Sequence, residues 1–117
     1  MSPMTRVRTK RVYEPREPTD GTRLLVMRLW PRGIKKNHVD AWLKELGAEV
    51  PLIKVWKTGK ITWPEFRHRY LAGLKKPAAR AQLRESRALA RKGRVTLLCS
   101  CPDESRCHRG ILKRLLT

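Results

Sequence analysis

RVTLLCSCPDESRCHRGILKRLL, residues 94–116, decides how this chain folds. Its first part, RVTLLC (94–99), is β-branched and apolar, the composition of a buried strand. Its last part, CHRGILKRLL (107–116), reads as a closing helix, so a strand runs through a short turn into a helix. Just before it, Pro77 opens and Gly93 ends a helix over 77–92. Strands alternating with helices point to a layered α/β domain with a mostly parallel sheet.

Moving toward the N-terminus, Thr62-Trp63-Pro64-Glu65 starts another helix, with Thr62 as cap and Pro64 in the first turn. Trp63, Phe66, Tyr70 and Leu74 follow at helical spacing, the pattern of a core-facing stripe. PLIKVW (51–56) reads as a short strand or an irregular connector. Residues 38–46 fit a short helix, with Val39, Trp42, Leu43 and Leu46 on one face. LLVMRLW (24–30) is a continuous apolar run, expected as a strand buried on both faces and stopped by WPRG (30–33). EPREPTDG (14–21) is a loop, punctuated by two prolines and an Asp-Gly pair. Arg6 to Tyr13 is expected as a first, edge-type strand.

The length of 117 residues predicts one domain over 1–117, with residues 1–5 loose. A hydrophobic fraction of 40% supplies a modest core. No apolar run spans a membrane and no secretory signal opens the chain, so a cytoplasmic protein with reduced thiols is expected. The 28 Lys and Arg outweigh 10 Asp and Glu, for a formal charge of +18. Such an excess attracts polyanions, though composition does not separate specific from nonspecific nucleic-acid binding. Arg80, Arg84, Arg87 and Arg91 share one face of the 77–92 helix. That face is either solvated surface or a set of phosphate contacts. Nothing in the sequence reports an oligomeric state.

All three cysteines, Cys99, Cys101 and Cys107, lie within the opening stretch, and three is an awkward count for disulfides. The cluster therefore reads as a metal site, a reactive thiol site or a structural turn. In open α/β sheets ligands bind beyond the carboxyl ends of strands, where Cys99 falls. Cys107 begins a helix beside Arg106, His108 and Arg109, so it is expected to be the most acidic thiol and the first to be alkylated. Cys101 and Arg106 match the loop length of rhodanese-type sulfurtransferases, but Pro102, Asp103 and Glu104 suit an anion loop poorly. A zinc site would take Cys99, Cys101, Cys107 and His108. Adjacent Cys107 and His108 on one helix would diverge by about 100°, which argues against tight structural zinc.

The leading reading is an anion-binding crevice with a thiol, needing no cofactor. Cys99 or Cys107 would be the thiolate and His108 the proton carrier. Arg28, Arg32 and Arg109 would bind the anion, and Trp30 would offer a flat face to a small anionic ligand or nucleotide. Arg28 and Trp30 have a plainer reading too: Arg28 pairs with an internal carboxylate and Trp30 packs. One alternative is a basic nucleic-acid binder using Arg80, Arg84, Arg87 and Arg91, with structural cysteines. Another is a metal protein, with zinc in the Cys/His cluster.

KRVYEP (10–15), DGTRLLVMRLWPRGI (20–34), WLKELG (42–47), WPEFRHRYLAGL (63–74) and VTLLCSCPDESRCHRGIL (95–112) resemble the uncharacterised YeaO-like family, domain of unknown function 488. The resemblance covers nearly the whole chain and is most specific in RLWPRG and the terminal CHR. It implies a small Rossmann-like three-layer α/β domain and no particular reaction. Many members lack the terminal cysteines. Others carry a strand-end Cys and a CHR, onto which Cys99, Cys107, His108 and Arg109 map. Cys101 is an addition to that pattern.

Overall fold

A computed structural model of the chain describes residues 7–101 and 103–116; the expected loose residues 1–5 lie outside them. The strands β1 (Val7–Arg11), β2 (Thr22–Leu25), β3 (Ala41–Trp42) and β4 (Val95–Cys99) form one sheet in the order β1-β4-β2-β3. Every pairing is parallel. β4 has a neighbour on each side, so all five of its residues are buried, and β1 takes an edge as its sequence suggests. Register pairs Arg11 with Cys99 and Leu25 with Leu98, so the carboxyl ends of three strands finish at one rim.

Successive residues of a strand face opposite ways. Leu24 and Leu97 enter the larger core, under the helices α1 (Val50–Lys57), α2 (Trp63–Gly73), α3 (Pro77–Lys92) and α4 (His108–Leu116). Leu25 and Leu98 join Val12 in a smaller core on the other face. Met27, Trp30, Ile34 and Val39 cover that core, from loops that carry only short 3-10 turns. The molecule thus has three layers, and the layer opposite the helices is made of loops.

Three expected elements differ. The strand expected over 24–30 spans Thr22–Leu25, with one further bond from Val26 N to Leu98 O at 3.0 Å. Beyond it the chain presses on Gly47, where a Cβ would lie 2.5 Å from the Arg28 nitrogen. Its apolar residues are buried beneath different layers, which a continuous run does not distinguish from one long strand. The helix expected over 38–46 is instead β3 followed by a 3-10 turn at Lys44–Leu46. The open edge of β2 captures it: Asp40 N donates to Arg23 O and Leu43 N to Leu25 O, each at 2.9 Å. Residues 51–56 lie in α1, with Pro51 in its first turn. Leu52, Ile53 and Trp56 reach the core at helical spacing.

α2 and α3 form as read. The Thr62 hydroxyl accepts from Glu65 N at 3.3 Å. Phe66, Tyr70 and Leu74 are buried, and Trp63 stacks on Phe66 at 5.0 Å between centroids. Removing the cap in Thr62→Ala is expected to cost about 1 kcal/mol in urea unfolding, with the fold unchanged by circular dichroism. On α3, Arg80, Arg84, Arg87 and Arg91 are exposed while Ala79, Ser86 and Ala90 face the protein.

The sequence reading missed a buried ion cluster beneath the 12–20 loop. Asp20 and Arg23 have no exposed surface and pair directly. Lys10 Nζ reaches Asp20 at 3.1 Å and Glu17 at 2.8 Å. Arg23 also donates to the carbonyls of His38 and Glu14. Alternation places Lys10 and Arg23 on the sheet face covered by loops, and Asp20 supplies the charge that makes their burial tolerable.

Candidate thiol and metal site

The site forms where β4 ends. Cys99 is the last strand residue, and a 3-10 turn at Glu104–Arg106 brings the chain back. Asp103 shapes that turn by accepting from Ser105 N at 2.9 Å and from the Ser105 hydroxyl at 2.7 Å. The Thr9 hydroxyl on β1 holds the Glu104 carboxylate. Gly110 lets the turn close on α4, since a Cβ there would lie 2.5 Å from Glu104 O. Cys107 sits just ahead of α4 in extended conformation, with φ −140° and ψ 147°.

These constraints bring the three sulfurs together. Cys99 Sγ lies 3.5 Å from Cys101 Sγ and 3.6 Å from Cys107 Sγ, and all three fall within 4.8 Å of one another. Around zinc, with bonds of about 2.3 Å, tetrahedral geometry separates sulfurs by about 3.8 Å. The two edges that meet at Cys99 are close to that separation. The thiols are free, with Cys99 and Cys107 buried and Cys101 half-buried.

Cys107 lies outside the helix, so it does not diverge from His108: its sulfur is 3.7 Å from His108 Nδ1. The other ring nitrogen, Nε2, meets the Val26 carbonyl, which only accepts, so Nε2 carries the proton and Nδ1 offers its lone pair. Burial lowers the His108 pKa and keeps the ring neutral, against the opposing bond to Val26. Tyr70 packs on the ring at 5.5 Å and donates to Leu46 O at 2.6 Å. Arg109 donates to Cys101 O and brings Nη1 to 4.0 Å from Cys107 Sγ.

The thiol electrostatics reverse the expected order. Cys99 is pushed down to about 3, because the Cys101 and Cys107 thiols direct hydrogen bonds at its sulfur and Arg109 adds positive charge. Cys107 is raised by its contacts with Cys101 and Cys99 and by burial. Cys101 is also raised: its contact with Cys107 lowers it, but Cys99 and burial outweigh that. In the metal-free trio one negative charge is favoured on Cys99, and a second is opposed by the first.

The sequence matches the family DUF488-N3a, described as the active DUF488-N3 subclade, over residues 7–117. The chain belongs to the DUF488 family. Among its relatives is the uncharacterized protein YeaO of Escherichia coli K12, 37% identical over 108 residues, which are 91% of this chain and 92% of that protein. The uncharacterized protein Rv3073c of Mycobacterium tuberculosis H37Rv is 37% identical over 114 residues, 96% of this chain and 94% of that protein. No solved structure matches the chain.

In this DUF488 protein the RLWPRG segment engages other partners. Arg28 donates to Glu45 Oε2 at 2.6 Å and Gly47 O at 3.0 Å, and lies 4.0 Å from Glu49. Trp30 donates to Ile34 O at 2.7 Å and packs edge-on against Trp42 at 5.4 Å. Arg32 is exposed in the turn before Gly33, whose φ is +82°. The group from this side that reaches the site is the carbonyl of Val26, two residues ahead of Arg28. Sequence reasoning also missed Thr9 and Tyr70 as supports. The core stripe singled out Tyr70, but nothing in a linear pattern pairs it with His108. Among the described residues, no helix is long and apolar enough to cross a membrane.

Proposed function

We propose that Cys99, Cys101 and Cys107 hold a thiophilic divalent cation, zinc first among them, as the centre of an enzyme acting on an anionic substrate. The observation that carries this reading is the convergence of three sulfurs from a strand end, a loop and a helix start. A lone nucleophile requires no such convergence; a soft metal does. Three thiolates on a divalent ion leave one negative charge, and Arg109, 4.0 Å from Cys107 Sγ, is placed to offset it. Three protein ligands leave a fourth position for water or substrate, the arrangement of catalytic zinc sites. When bound, the ion would supply Lewis acidity. His108 is held by Val26 and Tyr70 beside Cys107, with Nδ1 3.7 Å from Cys107 Sγ. The description of the matched subclade as active supports a catalytic role over a purely structural one.

One observation favours a second reading. The lowered pKa of Cys99 describes a ready thiolate without metal, and so a thiol-dependent enzyme. Elemental analysis of dialysed protein separates the two. Close to one zinc per chain is expected, lost in Cys99→Ser and in Cys107→Ser. Cobalt substitution should give thiolate-to-metal charge-transfer absorption. Protein that takes up neither metal refutes the metal centre and leaves the thiolate.

A further inference from the structure

A second groove opens outside β1, next to the cluster. It is an open groove of about 470 Å³, and Arg8, Arg11, Arg109 and Lys113 line it with Glu14 and Glu104. Lys10 also borders it, but its ammonium is held by Asp20 and Glu17. Both carboxylates are already engaged. Glu14 accepts from Arg11 N at 2.6 Å, and Glu104 accepts from Thr9 and lies 3.9 Å from Lys113. Four cations therefore line the groove with two carboxylates. Arg109 is shared with the thiol centre, and Arg8 also donates to the Thr19 hydroxyl at 3.1 Å and lies 4.0 Å from Asp20, yet positive charge stays in excess, which suits a phosphate dianion.

Arg109 marks where that dianion belongs. The residue is only 4% exposed, and its buried Nε has no hydrogen-bond partner among the described residues. A buried donor without an acceptor is costly, and a ligand oxygen satisfies it. The same guanidinium touches the cluster through Cys101 O and Cys107 Sγ. Arg109 thus spans the groove and the thiol centre.

We infer that this groove binds the phosphate monoester group of a small substrate. Arg8 and Arg11 supply planar forks, Lys113 a point charge, and Arg109 Nε the buried donor. The claim that the bound phosphate belongs to the centre's substrate rests on the metal reading above; the phosphate site itself rests on the groove alone.

Calorimetric titration with inorganic phosphate and with phenyl phosphate, at fixed ionic strength, tests it. Arg8→Gln with Arg11→Gln should weaken phenyl phosphate about tenfold or more, because two charge-assisted contacts are lost. Arg84→Gln with Arg87→Gln removes the same charge from exposed positions on α3 and should change affinity less than about twofold. Equal losses in both pairs would mean that net charge alone attracts the ligand, and would overturn the site. No loss in the groove pair overturns it as well. Chelated protein that still binds phenyl phosphate through the groove supports the site, and metal analysis of the same samples judges the centre separately. Binding that disappears on chelation while the groove pair has no effect places the phosphate elsewhere and overturns the inference. A single-stranded oligothymidylate that depends on the groove pair, with phenyl phosphate failing to bind, overturns the small-substrate assignment.

Discussion

Asp20→Ala is expected to destabilise the fold by about 3–5 kcal/mol, a large share of the roughly 5–15 kcal/mol typical of domains. Asp20 and Arg23 are both fully buried, and Lys10 is 7% exposed. Removing the carboxylate leaves two cations with reduced compensation inside the protein. Arg23 keeps its carbonyl partners and Lys10 keeps Glu17, so chain collapse is not required for the loss. Asp20 Oδ2 also accepts from Glu17 N at 3.0 Å, and that bond shapes the loop. Asp20→Asn, which retains the shape and removes the charge, should lose most of the same stability. Urea unfolding at neutral pH measures both variants. A loss under about 1 kcal/mol in each would show that Arg23 and Lys10 are satisfied without Asp20.

The same carboxylate predicts part of the acid sensitivity. Burial alone would raise its pKa, but the bonds from Glu17 N, Lys10 and Arg23 prevail and hold it below the ordinary 3.8. A folded pKa below the unfolded one contributes stability that is full above the unfolded value. The contribution disappears as pH falls through the folded value. Asp20→Asn should therefore flatten the acid limb of a stability–pH curve. An unchanged limb would assign acid unfolding to other carboxylates.

Metal removal is expected to give the other large effect. With free zinc at about a thousand times its dissociation constant, the metal-bound protein should be about 4 kcal/mol more stable than the chelated one. Chelation should also change which thiol reacts. Cys101 is the half-buried member of the trio, while Cys99 and Cys107 are each 2% exposed. Iodoacetamide should label Cys101 first in chelated protein, and zinc should slow all three reactions. Fastest labelling at Cys107 would restore the helix-start picture drawn from its sequence neighbours. Labelling that ignores zinc would refute coordination by these sulfurs.

The strand–turn–helix at 94–116 was legible because local signals agree there. RVTLLC has β-branched, apolar character throughout, and the thiols cluster within a few residues in any fold. α2 and α3 were legible from Thr62, which caps through a short-range hydrogen bond, and from Pro64 and Pro77, whose fixed torsion suits a first helical turn. The segment 38–46 was not, because its apolar spacing suits a helix and the decision rests with the unpaired edge of β2. LLVMRLW misled for a related reason: apolar residues record burial and do not record which layer buries them.

The sequence by itself determined the α/β class, the strand–turn–helix at 94–116, the family, and the grouping of Cys99, Cys101, Cys107, His108 and Arg109 at one strand end. These follow from short-range preferences and spacing along the chain. Only the tertiary structure decided that the sulfurs lie 3.5 and 3.6 Å apart, that Val26 and Tyr70 orient His108, and that Arg28 faces Glu45. It also decided that Asp20 neutralises Lys10 and Arg23 inside the protein. Each of these contacts joins separate segments, and its geometry depends on sheet order, register and the close approaches at Gly47 and Gly110. Periodicity reports which face of an element is buried; it does not report what lies against that face.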